Sequence, residues 1–303
     1  MISVIIPTRN RHEDLHVVLS RISSQTTKVS EVIVIDSSDS FIPIEGVVNW
    51  GFNLKHHHVN IKSAAIQRNI GLDLVSPECE FLSFLDDDVE PNPEYLSQLI
   101  SGLLKMGGIG ISGIALNPLK KENLRIKPKG FYGAVQRMFG LDSNEDGKLL
   151  LSGVNIPIRT YTGNSQEVEW LIGCSVWKFK SVFDLRFESD FFGQSLSEDV
   201  IFSIRARERG KLFVDPSVHL DHSESEVGRS KGSDFWSMWV VNRKRVVDIA
   251  SNGKSNYLRF HFANLGQFIS LIYGGLITRR TLSFDFMGIP FGYWQLITRK
   301  VRS

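Results

Sequence analysis

Over the first 115 residues, short Val- and Ile-rich runs alternate with stretches of helical periodicity, and no other feature restricts the possible folds of this chain as strongly. Ser3–Ile6, Glu31–Asp36, Asn53–Asn60, Glu80–Leu85 and Gly108–Ala115 read as strands. Between them the spacing predicts helices over Arg11–Ser24, Ser63–Leu74 and Pro93–Met106, the last with proline near its first turn. Strands separated by helices of this length mean βαβ units and a mostly parallel sheet. Farther on, Gly107–Gly163 is rich in Gly, Pro and Asn and reads as irregular loop. Glu167–Trp177 reads as strand, Ser197–Gly210 as a helix closed by glycine, and the chain from about Phe235 onward as basic amphipathic helix.

Charge divides the chain in two. The net charge is +2, yet residues 229–303 hold 12 basic and 3 acidic residues, a balance of +9, leaving −7 for residues 1–228. At 303 residues, one large domain with an appendage, or two domains, is the expectation, with the division at the charge shift: 1–228 and a basic, aromatic-rich helical region over 229–303. An apolar content of 42% excludes wholesale disorder, and two cysteines exclude a disulfide scaffold and fit a reducing compartment. The N-terminal apolar run stops at Pro7 with no basic n-region, so no signal peptide is expected. His261–Thr278 is uncharged, but Asn264, Gln267 and Ser270 recur every three residues. That pattern predicts a polar stripe on an amphipathic helix, packed or interfacial, rather than a membrane span.

Asp86-Asp87-Asp88 carries the main chemical signal. Three adjacent carboxylates at the end of a buried strand repel one another unless a cation or a hydrogen-bond network compensates. Asp86 and Asp88 can reach one hard cation, and oxygen ligands suit Mg²⁺ or Mn²⁺. In open α/β sheets, ligands bind outside the carboxyl ends of the strands, where this cluster falls. A solvated acidic turn is the competing reading of the triplet alone.

The chain resembles a family 2 glycosyltransferase with the nucleotide-sugar-binding GT-A fold. Val4-Ile5-Ile6-Pro7-Thr8-Arg9-Asn10 resembles the opening strand and turn, and Val34-Ile35-Asp36-Ser37-Ser38 the second-strand acidic turn. Ala65–Gly71 is similar to the helix whose arginine, here Arg68, approaches the nucleotide, and Asp86-Asp87-Asp88 to the metal motif. Trp170-Leu171-Ile172-Gly173 resembles the acceptor-side strand, Glu198-Asp199 the start of the catalytic helix, and Pro216–His222 the strand ending in a metal-binding histidine. The resemblance covers about residues 1–225 in the family's order.

It implies an α/β GT-A catalytic domain over 1–228, a Rossmann-like mostly parallel sheet flanked by helices, with a C-terminal helical appendage over 229–303. It also implies a metal-dependent enzyme that moves a sugar from a nucleotide sugar to a hydroxyl, with inversion. The acceptor would be a glycan or lipid-linked glycan in polysaccharide biosynthesis. Pro7, Thr8, Arg9, Asp36, Arg68, Asp86 and Asp87 would bind a UDP- or dTDP-sugar. Asp86, Asp88 and His222 would hold Mn²⁺ or Mg²⁺. Asp199 would be the base, with Glu198 beside it, and Trp170 and Gly173 would face the acceptor. Arg68 would meet the diphosphate or brace Asp87. His219, three residues before His222, would point to the other face of its strand. His56-His57-His58 would diverge along a strand, so all three cannot easily ligate one ion, and they read as a polar strand or loop.

Two other functions stay open on the residues: a nucleotidyltransferase acting on a sugar phosphate, and a non-catalytic nucleotide-sugar-binding protein. The first usually has a glycine-rich loop after strand one, where this chain reads Pro7-Thr8-Arg9-Asn10. In the basic end, Lys231, Arg243, Lys244, Arg245, Lys254, Arg259, Arg279, Arg280, Arg299, Lys300 and Arg302 punctuate helices bearing Trp236, Trp239 and Trp294. Cations beside aromatics suit an anionic membrane surface, so the expected location is cytoplasmic or peripheral on the cytoplasmic face. A lid and an oligomer interface compete with that reading. No nucleic-acid reader motif is visible.

Overall fold

A computed structural model describes residues 1–44, 49–117, 127–159, 163–191, 196–223, 230–250, 256–277 and 284–300. They belong to two compact units: Met1–Arg125, Ile158–Ser189 and Phe202–Ser225 in the first; Ile126–Pro157, Asp190–Ile201 and Glu226–Ser303 in the second. The expected boundary at 228 lies near the end of the first unit, but the second also collects two earlier segments.

The first unit is built on one mixed sheet. In chain order, its parallel half comprises β1 (Ile2–Thr8), α1 (His12–Ser23), β2 (Glu31–Asp36), β3 (Asn53–His58), α2 (Ala64–Asp73) and β4 (Phe81–Phe84). There follow β5 (Val89–Pro91), α3 (Tyr95–Met106) and β6 (Gly110–Leu116). Past the second unit's α4 (Gly130–Met138) come β7 (Gln166–Val168), β8 (Ser175–Lys178), α5 (Phe179–Val182), α6 (Glu198–Arg207) and β9 (Leu212–His222). The strand order is β3-β2-β1-β4-β8-β6-β9-β5, with β7 also on β9. β3, β2, β1 and β4 are parallel, whereas β8 runs antiparallel to β4 and β6.

The fully buried β1 and β2 explain the continuous apolar runs: both faces of the sheet are covered. Alternation sends Val4, Ile6, Val32 and Val34 to the core shared with α1 and α3. It sends Ile5, Ile33 and Ile35 to the core shared with Ala65 and Leu72 of α2 and Phe202 of α6. Gly71 lets α2 approach the sheet, since a Cβ there would lie 2.6 Å from Ile5 Cγ2. At Gly113, β6 shifts register against β9, and a Cβ would lie 2.4 Å from the Val218 carbonyl oxygen.

Two sequence expectations change here. The apolar run Glu167–Trp177 is two short strands, β7 and β8, separated by residues 169–174. Burial made the run look continuous, because apolar composition reports exclusion from water and not ladder pairing. The irregular reading of Gly107–Gly163 misses β6's continuation to Leu116 and the helix α4. Gly130 and Gly133 lower α4's intrinsic propensity, and tertiary contacts supply what propensity lacks.

The second unit contains α4, α7 (Gly232–Ala250), α8 (Tyr257–Ile277), a 3₁₀ turn (Phe284–Met287) and α9 (Gly288–Lys300). Its core holds Val240, Val247, Phe260 and Ile289. Gly292 brings α9 onto α7, since a Cβ there would lie 2.7 Å from Val240 Cβ. The polar stripe on α8 turns inward: Asn264 is buried and donates to Tyr293 Oη (2.8 Å), and Ser270 accepts from Gln136 (2.8 Å). Arg243, expected among the surface cations, is buried instead. Its guanidinium lies 3.5 Å over the Trp239 ring and donates to Asn264 Oδ1. Burial lowers its pKa from the usual guanidinium range to about 9. Lys254, Arg279, Arg280 and Arg302 lie outside the described residues. Among the described residues, no helix is long and apolar enough to cross a membrane.

Candidate active site

β4 runs directly into the aspartate triplet, which turns the chain into β5. Each carboxylate has its own compensation. Asp86 Oδ1 accepts from Arg68 Nη2 of α2 at 2.6 Å. Asp87 Oδ2 accepts from Thr8 Oγ1, at the end of β1, and its Oδ1 from Arg11 Nη1, both at 2.7 Å. Asp88 Oδ2 lies 3.3 Å from the same Arg11 nitrogen, and its Oδ1 is 3.1 Å from His222 Nε2. His222 arrives through antiparallel pairing, since β5 and β9 place Val89 opposite it. The Ser223 N–H also donates to the Asp88 carbonyl oxygen at 3.1 Å. His219 is exposed, and its carbonyl oxygen accepts from Asn92 Nδ2 at 2.9 Å.

One ligand atom each from Asp86, Asp88 and His222 lie within 4.8 Å of one another. Two carboxylate oxygens and an imidazole nitrogen make a donor set suited to Mn²⁺ or Mg²⁺, with the nitrogen favouring Mn²⁺. The cluster lies outside the carboxyl ends of β1 and β4, where the strand order reverses, a position that binds ligands in such sheets.

Asp87 is braced from within. Burial pushes its carboxyl up to about 6, opposed by Arg11 and Thr8 and reinforced by Asp88. A carboxyl with a raised folded-state pKa holds its proton longer in the folded chain than in the unfolded one. Stability therefore falls as pH rises from about 4 to about 6, by up to about 3 kcal/mol. Urea unfolding in excess chelator should show that slope, and Asp87→Asn should flatten it. Equal slopes in the two proteins would contradict the assignment.

Around this centre, the expected nucleotide residues divide into braces and surface groups. Pro7 is buried within β1, paired with Ile35. Asp36 is 2% exposed at its side chain; its Oδ1 accepts from the Ser38 N–H at 2.7 Å, and its Oδ2 lies 3.4 Å from His56 Nε2. His56 Nδ1 accepts the Ile44 N–H at 3.3 Å, which puts the ring proton on Nε2, facing Asp36. The three histidines lie in β3, within the polar strand or loop expected, and His56 is turned inward as a partner of Asp36. Arg9 is exposed and lies 3.4 Å from Asp39, which also accepts from Asn10 (2.9 Å) and Lys62 (2.7 Å). Arg68, expected on the diphosphate or Asp87, pairs with Asp86 and lies 5.4 Å over the Phe187 ring. Gly173 abuts that pair: a Cβ there would lie 3.3 Å from Arg68 Nη2 and 3.6 Å from either Asp86 oxygen. Trp170 is half-buried between β7 and β8.

Sequence reasoning missed Arg11, His56 and Gln67. Buried Gln67 donates to the Thr8 and Ile35 carbonyl oxygens, at 2.8 and 2.6 Å, and ties the ends of β1 and β2 together. A cation three residues past Thr8 was the available clue for Arg11, but its carboxylate partners lie far along the chain. Glu198 and Asp199 belong to the second unit, at the start of α6. Ser197 before them adopts φ +75°, a left-handed backbone uncommon outside glycine. Glu198 is buried, and Asp199 Oδ1 accepts from the Val200 N–H at 2.8 Å.

A parallel nucleotide-type half sheet ending in carboxylates, with a histidine brought in by an antiparallel strand, defines the GT-A class of glycosyltransferases. The profile described as glycosyl transferase family 2 matches residues 3–168, more than half of the chain, and the chain belongs to that family. The fold is shared with solved glycosyltransferases of low sequence identity. One is S. aureus TarS 1-349 in complex with UDP-GlcNAc: TM-score 0.54, 15% identity, covering 97% of this chain and 91% of that one. Another is the mannosyltransferase PcManGT from Pyrobaculum calidifontis in complex with GDP-Man and Mn²⁺: TM-score 0.58, 14% identity, covering 99% and 87%. Against the longer S. aureus TarS structure, the match covers 83% of this chain but 43% of that one, at 17% identity and TM-score 0.52. No curated protein matches the sequence.

Proposed function

We propose that this glycosyltransferase is metal-dependent and inverting, and that it transfers a sugar from a nucleoside diphosphate sugar to the hydroxyl of a glycan or lipid-linked glycan, in polysaccharide biosynthesis. The observation that carries the reading is the Asp86, Asp88 and His222 group, its ligand atoms within 4.8 Å of one another. Those residues would hold Mn²⁺ or Mg²⁺, which when bound stabilises the negative charge that develops on the leaving diphosphate. The donor would be a UDP- or dTDP-sugar. The structural neighbours' complexes with UDP-GlcNAc and GDP-Man support a sugar nucleotide without choosing the base.

The chain's own residues then have distinct tasks. Arg68 and Arg11 hold Asp86, Asp87 and Asp88 in one arrangement, offsetting their mutual repulsion before any ligand arrives. Thr8 fixes Asp87, and Arg9, exposed at the β1 turn, remains available to a phosphate or ribose. Asp36, anchored by Ser38 and His56, shapes the base end of the donor site. Asp199 takes the acceptor proton, Glu198 orients the acceptor or Asp199, and Trp170 and Gly173 form the acceptor side. The roles of Asp199 and Glu198 rest on their place in the family motif. Membership in this family counts against the nucleotidyltransferase alternative.

Thermal unfolding with UDP, dTDP or GDP, each with Mn²⁺ or with chelator, tests the donor and metal together. A ligand at a hundred times its Kd stabilises the folded chain by about 2.7 kcal/mol, so the correct nucleotide should raise Tm with Mn²⁺ and much less in chelator. Equal shifts with and without metal would overturn the metal-dependent reading.

A further inference from the structure

We propose that α4, α8 and α9 form one apolar face that lies on an anionic lipid bilayer, with the helices parallel to its surface. This goes beyond the reaction and does not depend on it. Leu258, Phe262, Leu265, Ile269 and Tyr273 of α8 are all exposed, Leu258 at 86%. At about 100° per residue they fall within an arc of about 80°. The inward turn of Asn264 and Ser270 leaves this apolar side of α8 facing outward.

The neighbouring helices extend the stripe into a face. α4 flanks one side of α8, with Phe139 and Phe262 rings 4.6 Å apart and Gln136 on Ser270. α9 flanks the other, with Tyr293 Oη 2.7 Å from His261 Nδ1 and 2.8 Å from Asn264 Nδ2. Gln136 and Phe139 meet Ser270 and Phe262 of α8 in reverse order, and so do Phe286, in the turn just before α9, on Phe268 (5.8 Å between ring centroids) and Tyr293 on His261 and Asn264, so both neighbours run antiparallel to α8. That geometry turns Phe131 and Met138 of α4 to the same side as the α8 stripe. It does the same for Phe291, Trp294 and Ile297 of α9. Phe131 is 86% exposed and Trp294 63%. A contiguous apolar face of this extent marks an interaction surface.

Charge selects the occupant. The three helices contain Arg137, Arg259, Arg299 and Lys300 and no Asp or Glu. Lys129, which precedes α4, and Arg259 in the first turn of α8 are exposed. Two copies meeting through this face by two-fold symmetry would oppose basic helices with the same basic helices. An anionic bilayer supplies both an apolar layer for the stripe and counter-charge for its rim, and Trp294 and Tyr273 suit the headgroup level.

Flotation of the full chain tests the proposal, using phosphatidylcholine vesicles with and without phosphatidylglycerol. The chain should float with the anionic vesicles and lose that recovery in high salt. The triple variant Leu258→Ser/Trp294→Ser/Ile297→Ser should float far less while keeping its Tm and its nucleotide-dependent thermal shift. Lys129→Gln/Arg259→Gln should weaken binding by about fivefold per cation, the factor corresponding to about 1 kcal/mol each. Equal flotation of the native chain and the triple variant, or no flotation of either, would overturn the proposal. So would a dimer in light scattering that the triple variant dissociates while the native chain ignores vesicles, because that outcome assigns the face to a second copy. A nucleotide-dependent thermal shift that survives any of these results keeps the donor-site reading separate.

Discussion

Asp88→Asn is expected to lower turnover by about a thousandfold or more and to abolish the effect of Mn²⁺ on Tm. Asp88 faces His222 Nε2 at 3.1 Å through one oxygen and Arg11 at 3.3 Å through the other, with its side chain 2% exposed. The amide has the same shape but no negative charge, and its nitrogen would face either a donor guanidinium or the histidine. Metal held by Asp86 and His222 alone would lose a charged ligand, and with it the stabilisation of the leaving diphosphate, typically worth a factor of about 10²–10³ or more. Transfer assays over a Mn²⁺ series, with thermal unfolding alongside, measure both effects. Turnover within tenfold of the native chain would remove Asp88 from the metal site. An unchanged Mn²⁺ shift would do the same.

Asp199→Asn should lower turnover by about 10²–10⁴-fold, the range that general-base catalysis supplies, while donor affinity stays within a few-fold. The side chain keeps its size at the start of α6, where its Oδ1 accepts the Val200 N–H at 2.8 Å, so folding should survive. The split between kcat and donor KM separates this residue from the metal group: Asp88→Asn should weaken metal and donor binding, and Asp199→Asn should not. Glu198→Gln should cost less than Asp199→Asn if Glu198 only orients its neighbour. Native turnover in Asp199→Asn would reassign the base.

Much of the fold was legible along the chain because its parallel half obeys local rules. β2 was read to the residue, and α1, α2 and α3 to within two residues, because both faces of the sheet are buried and the helices are short and amphipathic. α4 was not legible: its two glycines oppose helix formation, and its contacts with α8 lie more than a hundred residues away. The candidate site divides in the same way. The Asp86-Asp87-Asp88 run and His222 stood out as residue types in a motif, whereas Arg11, His56 and Gln67 are ordinary residues until the strands align.

By itself, the sequence determined the residue types at the strand ends, the alternation that makes a parallel half sheet, and the uneven distribution of charge. Only the tertiary structure decided how those charges are matched: Arg68 to Asp86, Arg11 to Asp87 and Asp88, and His222 to Asp88 through the antiparallel register of β5 and β9. It also decided that Arg243 is buried while the apolar side of α8 is exposed. The physical reason is common to both. Periodicity states which residues share a face, but the element that packs against that face, and hence whether it meets water, a counter-charge or another helix, is set by residues far away in the chain.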